Sequence, residues 1–445
     1  MKKITVSGYK SIAAPISISL PGLTVLAGQN SSGKSSFMQP LLLIKQTLES
    51  DYEASVFVLN GPNVNITDKE QIIPKIQMYT VKKLEITVSN DNQSVSMCYK
   101  YNKNGINFEH VMVKNDLFRR GLKINIPRDQ NSPLRITNKK LLHIATQIVA
   151  SIDKQETISV DKIEPIKLIK ERCLYRITLN AKAKVGTDSY IDIPMPLVSS
   201  SEQIKNMALG LIHVPGLRSN PERLYNEAFY EEHFPGTFDK YTAAIINRWE
   251  KDKKSKEKHD LLQKHMKYLE LASFLESSRI DDSHIEIKVS RAHSNSTDKT
   301  LVNIADVGFG VSQVLPIIVA LISAGKDQLV YIEQPELHLH PKAQLYLAKI
   351  FSEAVNRGVV IVVETHSSIF IRGIQTSVAA GSLDFNKVSL CWFSQESNGQ
   401  TICNESSLDR FGAFGDWPED FDDTYFGGDK GYLDAVESAM EKETL

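Results

Sequence analysis

The sequence predicts an α/β fold with a mixed sheet, plus an inserted helical and β region. Three observations point there. Leu23-Thr24-Val25-Leu26-Ala27 is a continuous apolar run of the buried-strand type, followed by a glycine-containing loop and a helical stretch from about 35 to 48. Leu329-Val330-Tyr331-Ile332-Glu333 and Val359-Val360-Ile361-Val362-Val363-Glu364 are two further buried strands, each ending on an acid. Between these ends the texture turns first to alternating β segments and then to charged helices.

The elements follow in order. Residues 4–6 and 16–20 alternate like strands and precede the run at 23–27. Asn60-Gly61 is a turn signal that opens the next region. From about 82 to 126 the pattern is β, with Leu84-Glu85-Ile86-Thr87-Val88 alternating and a second turn signal at Asn104-Gly105. Residues 131–198 are mixed, with a strand-like run at 173–180. From about 237 to 278 the chain reads as helical and highly charged. Its run Lys251-Asp252-Lys253-Lys254-Ser255-Lys256-Glu257-Lys258 suits a solvated face or exposed loop better than a nucleic-acid or partner contact. No heptads are sustained there, so no coiled-coil arm is expected. After 285 come strand, glycine turn, helix and strand again, then an acidic, aromatic tail from about 411.

Composition narrows the class. The 445 residues carry 52 Lys+Arg against 53 Asp+Glu, a formal net charge of −1 that gives no global case for nucleic-acid binding. The 42% hydrophobic and 24% charged shares are those of a soluble globular protein large enough for two or three domains. The longest apolar run, 314–322, contains Pro316 and falls well short of the roughly 20 residues that span a bilayer, so no membrane segment is expected. The start, Met1-Lys2-Lys3-Ile4-Thr5-Val6-Ser7, turns polar too early for a signal peptide. Cys98, Cys173, Cys391 and Cys403 stand far apart without a Cys-x-x-Cys pair, which fits reduced thiols in a cytoplasmic protein.

Chemistry concentrates in four places. Gly28-Gln29-Asn30-Ser31-Ser32-Gly33-Lys34-Ser35 fits G-x-x-x-x-G-K-[ST] between a strand and a helix. Glycines there let the backbone wrap phosphates, and amides at the helix start stabilise their charge. Lys34 would reach the β- and γ-phosphates, the Ser35 hydroxyl would ligate Mg²⁺, and Ser36 lies beside it in the first helical turn. Such a loop requires an apolar strand ending in an acid that holds the magnesium, and 329–333 supplies Glu333. His366 follows the strand ending at Glu364, at the carboxyl end of a parallel strand where such folds bind ligands. The segment Asp306-Val307-Gly308-Phe309-Gly310-Val311-Ser312-Gln313 precedes an apolar helix; alone it suits a plain helix cap as well as an anion-binding turn. His338 and His340 are good metal ligands in type, but no third ligand completes a site near them.

In that order the four motifs resemble the ABC-type ATPases, specifically the soluble branch related to RecF, SMC and OLD proteins. The resemblance implies a P-loop ABC-type ATPase head that binds ATP and Mg²⁺. In it Gly28, Asn30, Ser31, Ser32, Gly33, Lys34, Ser35 and Ser36 form the Walker A loop, and Gly308, Gly310 and Ser312 the signature that contacts the γ-phosphate of ATP held by a second subunit. Glu333 stands at the Walker B acid, so Ser35 and Glu333 are the expected metal ligands; residues 338–341 stand at the D-loop and His366 at the switch histidine. Tyr9-Lys10-Ser11 resembles the F-[KR]-S start of the group and places Lys10 near the nucleotide. P-E-L-H-L-H-P (335–341), E-T-H-S (364–367) and His213-Val214-Pro215-Gly216-Leu217-Arg218 with Pro221 and Tyr225 resemble the OLD-like and defence-associated members. Asp416-Trp417-Pro418 resembles a C-terminal domain of unknown function carried by many of them.

The implied organisation has five segments: an N-terminal ATPase lobe with Walker A (1–80), a β-rich stretch with insertion (81–200), a helical insertion (201–284), a C-terminal lobe with signature, Walker B, D-loop and switch histidine (285–410), and an acidic tail (411–445). One position departs from the family pattern. Walker B ordinarily ends Asp-Glu, the Glu polarising the attacking water, whereas here Glu333 is followed by Gln334. Glutamine orients water but accepts no proton. The expectation is a slow ATPase in which Gln334, Glu336 and His366 are the catalytic candidates, with Glu336 as the substitute base. About 80 residues follow His366, too few for an appended Toprim nuclease, so any nuclease is expected as a separate effector protein. The acidic cluster Glu419-Asp420-Phe421-Asp422-Asp423 suits a solvated tail or docking surface better than a cleavage site. By family analogy the chain forms homo-oligomers built from head-to-tail ATP-sandwich dimers. It then acts as a nucleotide-dependent sensor or scaffold in prokaryotic anti-phage defence, answering to a phage-derived trigger or nucleic acid. A RecF/SMC-like DNA-repair clamp and a non-hydrolysing assembly platform are the alternatives.

Overall fold

The computed structural model describes residues 2–52, 56–76, 81–103, 105–116, 119–126, 159–163, 167–185, 187–194, 200–228, 233–290 and 300–415. The tail motif at 416–418 and the acidic cluster at 419–423 lie outside the described residues, as does much of the mixed stretch 131–198. The chain divides into two compact units: Met1–Ser17 with Met38–Leu209, and Ile18–Phe37 with Gly210–Leu445. Among the described residues no helix is long and apolar enough to cross a membrane.

The first unit holds β1 (Lys2–Ser7), the start of β2 (Ile16–Leu20), β4 (Lys83–Ser89), β5 (Gln93–Asn102), β6 (Gly105–Asn115) and β7 (Leu122–Asn125), in a sheet ordered β2-β1-β4-β5-β6-β7. Strict alternation drives it. Ile4 and Val6 of β1 face Val88 and Ile86 of β4, which face Val95 and Met97 of β5; all six are buried. The β5–β6 hairpin ends on the pair Asn102 and Gly105, with Gly105 at φ +140; Asn104 of the expected turn signal lies outside the described residues. Strands β8 (Ser159–Ile163), β9 (Lys167–Glu171) and β11 (Thr187–Pro194) all pair antiparallel with β10 (Leu174–Val185).

The second unit is built on the sheet β12 (Ile212–Val214), β17 (Leu329–Glu333), β18 (Val360–Glu364), β3 (Leu23–Gly28), β19 (Val388–Gln395) and β20 (Thr401–Ser407), in that order. The first five strands are parallel and β20 is antiparallel, so the sheet is mixed. Central strands β3 and β18 are almost wholly apolar because helices must cover a parallel sheet. A smaller sheet pairs β13 (Tyr225–Asn226), β14 (Leu275–Arg279) and β16 (Leu301–Asn303) with β15 (His284–Ser290).

The helices are α1 (Lys34–Glu49), α2 (Ser200–Leu209), α3 (Thr242–Lys251), α4 (Lys256–Tyr268), α5 (Phe309–Ser323), α6 (Pro341–Asn356) and α7 (Ser368–Ala379). Helix α5 is apolar nearly all round and buried from Val311 to Ile322. Helix α6 starts with His340 accepting from the Lys342 amide and Pro341 in its first turn. Ser367 caps α7 by accepting from the Phe370 amide at 2.9 Å. Helices α6 and α7 approach closely at Gly373, where a Cβ would lie 2.7 Å from the Ala348 Cβ, and Phe351 packs edge-on to Phe370.

These two units depart from the five expected segments in two ways. Strand β3 and its glycine loop, although N-terminal in sequence, belong with the C-terminal strands because β3 pairs between β18 and β19. The charged helices are not a separate insertion either: Ile245, Ile246 and Trp249 of α3 and Leu262 and Met266 of α4 share one core with α5. Their run at 251–258 is mostly exposed.

Candidate nucleotide-binding site

The glycine loop leaves β3 at Gly28, whose φ of +137 and neighbourhood both demand glycine: a Cβ there would sit 2.1 Å from the Phe393 carbonyl oxygen. Asn30 and Ser31 are exposed, Ser31 with φ +60, and Gly33 at φ +100 delivers the chain into α1. Two bonds from the far side of the sheet fix the loop: Gln395 Nε2 donates to the Ser31 carbonyl at 3.0 Å and Thr401 Oγ1 to the Ser32 carbonyl at 2.9 Å. Lys34 is buried, with Nζ 3.0 Å from the Gly28 carbonyl and 2.7 Å from that of Gln29. Burial pulls its pKa below the ordinary value, against the opposing field of Glu364.

Ser35 Oγ donates to Glu364 Oε1 at 2.9 Å, and the Tyr331 hydroxyl donates to Glu364 Oε2 at 3.0 Å. Burial raises the Glu364 pKa, and the Ser35 bond opposes that rise. Glu333, the expected metal ligand, is placed otherwise. Its Oε1 lies 3.2 Å from His213 Nε2, and its Oε2 accepts from the Gly216 amide at 3.1 Å. Burial would raise its pKa, but these bonds prevail and hold it below the usual carboxylate value.

Gln334 has φ +43, and its amide donates to the Glu364 carbonyl at 2.7 Å, tying the two strand ends together. Glu336 Oε1 accepts from the His366 amide at 2.8 Å, and burial pushes the Glu336 pKa up. Exposed His366 has a lowered pKa, first from desolvation and then from the field of Lys34. The three catalytic candidates are therefore linked through main-chain bonds at the carboxyl ends of β17 and β18.

Gly308 caps α5 without a side-chain partner and is exposed with Phe309, so the amides of the first turn have no side-chain acceptor from their cap. Gly310 passes close to the His338 carbonyl, 3.1 Å from where its Cβ would be. Ser312 is buried: its hydroxyl donates to the Phe309 carbonyl at 3.0 Å, and it lines a cavity of about 490 Å³ with Arg218 and Thr242. Lys10 belongs to the first unit, where φ +50 and an amide bond to the Ile72 carbonyl fix its backbone and burial lowers its pKa. Ser36 is half-buried in the first turn of α1.

Sequence reasoning gave no role to two residues that organise this site. One is Glu364, hidden in E-T-H-S. The other is Arg218, buried, whose Nη1 donates to the Gln313 carbonyl at 3.1 Å and whose Nη2 donates to the carbonyls of Glu333 at 2.8 Å and Gln334 at 3.0 Å. The string 213–218 was the available signal for Arg218. Among the described residues, one trio has metal-ligand spacing: Cys98, Glu109 and His110 of the first unit. There Lys83 Nζ already pairs with Glu109 at 2.6 Å, and burial pushes the Cys98 thiol up to about 12.

A nucleotide with Mg²⁺ fits the residues present. Loop amides and Lys34 suit phosphate charge, the buried Ser32 hydroxyl has no partner among the described residues, and Ser35 and Glu364 are hard oxygen donors of the kind magnesium takes. Fold and site together define a P-loop nucleotide-binding protein of the α/β type. A family profile described as "AAA ATPase domain" matches residues 1–371, and the chain belongs to that family. No curated protein matches the chain. Three similar solved structures are SMC heads. One is bound to the C-winged helix domain of ScpA (11% identity, TM-score 0.44, covering 92% of this chain and 98% of that one). The SMC head domain from Thermotoga maritima gives 9%, 0.40, 90% and 97%. The Smc head with an extended coiled coil bound to the C-terminal domain of ScpA, derived from Pyrococcus furiosus, gives 11%, 0.42, 92% and 97%.

Proposed function

We propose that the chain binds and hydrolyses ATP as an ABC-type ATPase of the soluble SMC/RecF/OLD-like branch. In this reading it serves in the cytoplasm as the nucleotide-dependent sensor or scaffold of an anti-phage defence system and restrains a separate effector, by analogy a nuclease. The observation that carries the ATPase activity is the meeting of Lys34, Ser35 and Glu364 at the end of β3 and β18, beside the linked Gln334, Glu336 and His366. Magnesium, when bound, would neutralise phosphate charge. Lys34 binds the phosphates, the loop amides orient them, and Glu336, its basicity raised by burial, accepts the proton of the attacking water that Gln334 orients. The exposed, uncapped start of α5 supports a head-to-tail pair in which one subunit's signature meets its neighbour's nucleotide. The defence role rests on the strings at 213–218, 335–341 and 364–367.

Single-turnover phosphate release together with mass photometry tests the ATPase activity. ATP is expected to drive self-association that K34A abolishes, followed by slow phosphate release. Association without release would leave the non-hydrolysing platform. Co-expression with the neighbouring gene and native mass spectrometry tests the defence role. A stable complex is expected, whereas duplex DNA retention that weakens steeply with salt would favour the DNA clamp.

A further inference from the structure

We propose that Glu364, on the strand beside the P-loop strand, and not Glu333 at the expected Walker B position, is the carboxylate that holds the nucleotide's divalent cation together with Ser35. This rests on the ATP-binding reading above and names which of the chain's own acids serves it.

The argument is first topological. The strand order is β12-β17-β18-β3, so β18 lies between the expected acid strand β17 and the P-loop strand β3. Glu364 stands in register with Glu333 on one side and with Leu26 on the other. It is one strand, about 4.8 Å, closer to the loop than Glu333 is.

Hydrogen bonding points the same way. In P-loop enzymes the cation sits between the hydroxyl of the P-loop Ser or Thr and an acid that can reach it. The acid that reaches this hydroxyl is Glu364, at 2.9 Å. Glu333 is engaged from the opposite flank: His213 lies on β12, on the side of β17 away from β18, and it and the Gly216 amide take both Glu333 oxygens, while the Tyr331 hydroxyl stands between Glu333 and Glu364. His213 also stacks on Tyr331, with ring centroids 5.4 Å apart, which fixes the imidazole against Glu333. Glu333 thus anchors the turn that leads to Arg218, while Tyr331, two residues before it, donates across to Glu364 and orients that carboxylate. The chemistry is consistent: both Ser35 and Glu364 offer oxygen, and a carboxylate with one hydroxyl is a typical protein share of a magnesium shell that otherwise holds water and phosphate.

The test measures affinity for a fluorescent ATP analogue with and without Mg²⁺, in the full chain, for wild type, E364Q, E333Q, S35A and the E364Q/S35A double variant, each checked for folding by circular dichroism. E364Q is expected to lose the Mg²⁺-dependent gain in affinity by about tenfold or more while its Mg²⁺-free affinity stays within about threefold. S35A is expected to lose a similar share, and the double variant less than the sum of the two, because both serve one ion. E333Q is expected to keep the gain and to melt at a lower temperature. Mn²⁺ electron paramagnetic resonance of the nucleotide complex gives a second readout, with bound-ion signal lost in E364Q and kept in E333Q. If E364Q does not fold, Glu364→Asp replaces it, and the shortened carboxylate is expected to weaken the gain. A full Mg²⁺ gain in folded E364Q, or its loss in E333Q, overturns the inference. If wild type binds no nucleotide under either condition, it is the ATP-binding reading that fails.

Discussion

The guanidinium of Arg218 lies 3.1 Å from the main-chain carbonyl of Gln313, and the same side chain holds the carbonyls that end β17. One buried cation therefore joins α5 to the carboxyl end of β17. Its burial lowers even the guanidinium pKa, to about 10, yet it stays charged at neutral pH. Removing the donors takes a charged partner from three carbonyls. Arg218→Ala is expected to cost about 2–4 kcal/mol in urea unfolding, and Arg218→Lys to recover only a fraction, since an ammonium lacks the fork. A loss below about 0.5 kcal/mol for the alanine variant would refute the stapling role.

Gly28→Ala should be severe for two independent reasons: its φ of +137 and a carbonyl oxygen 2.1 Å from the new Cβ. We expect a destabilisation above about 2 kcal/mol with nucleotide binding lost, read from the unfolding midpoint and the fluorescent analogue. Wild-type stability in this variant would mean that the loop relaxes freely.

Turnover should respond in opposite directions to two substitutions. Gln334→Glu is expected to raise the single-turnover rate, about tenfold, by restoring a proton acceptor. Glu336→Gln is expected to lower it about a hundredfold without a matching loss of ATP affinity. If neither variant changes the rate, neither residue handles the attacking water.

Acid should weaken the fold through His265. Its ring is buried between α4 and α6. Nε2 lies 3.5 Å from Glu353, while Lys264, Arg357 and Lys349 are the surrounding cations; burial, then those cations, lowers its pKa to about 4. The unfolded chain takes up a proton near 6.5, whereas the folded one does so only near 4. Stability is therefore lost as pH falls across that interval, to a limit of about 3 kcal/mol. His265→Gln is expected to flatten this limb in urea titrations run from about pH 7 to about pH 4, and an unchanged limb would exclude His265 as its source.

What was legible in the sequence is what is local. The loop at 28–35 declares itself because glycine geometry and a strand-to-helix switch lie within a few residues, and the hairpins at 84–113 because period-two alternation is local too. Glu364 was not legible as the partner of Ser35. Its position depends on β18 lying between β17 and β3, a long-range pairing order that no spacing encodes. Arg218 was illegible for another reason: its partners are main-chain carbonyls, which carry no sequence signature. Helices α3 and α4 were readable as charged helices. Their shared core with α5 was not, because Ile245, Trp249 and Met266 meet it only in three dimensions.

At Gly373 the absence of a side chain lets α7 lie against Ala348 of α6, and Ser367 Oγ donates to Gln344 Oε1 across the same seam at 2.6 Å. The loops that enter these helices, one bearing His338 and the other His366, are thereby yoked to a common block. A side chain at 373 would press on the Ala348 Cβ and on the Leu345 carbonyl oxygen, 3.0 Å from its first carbon, and would prise the two helix starts apart together.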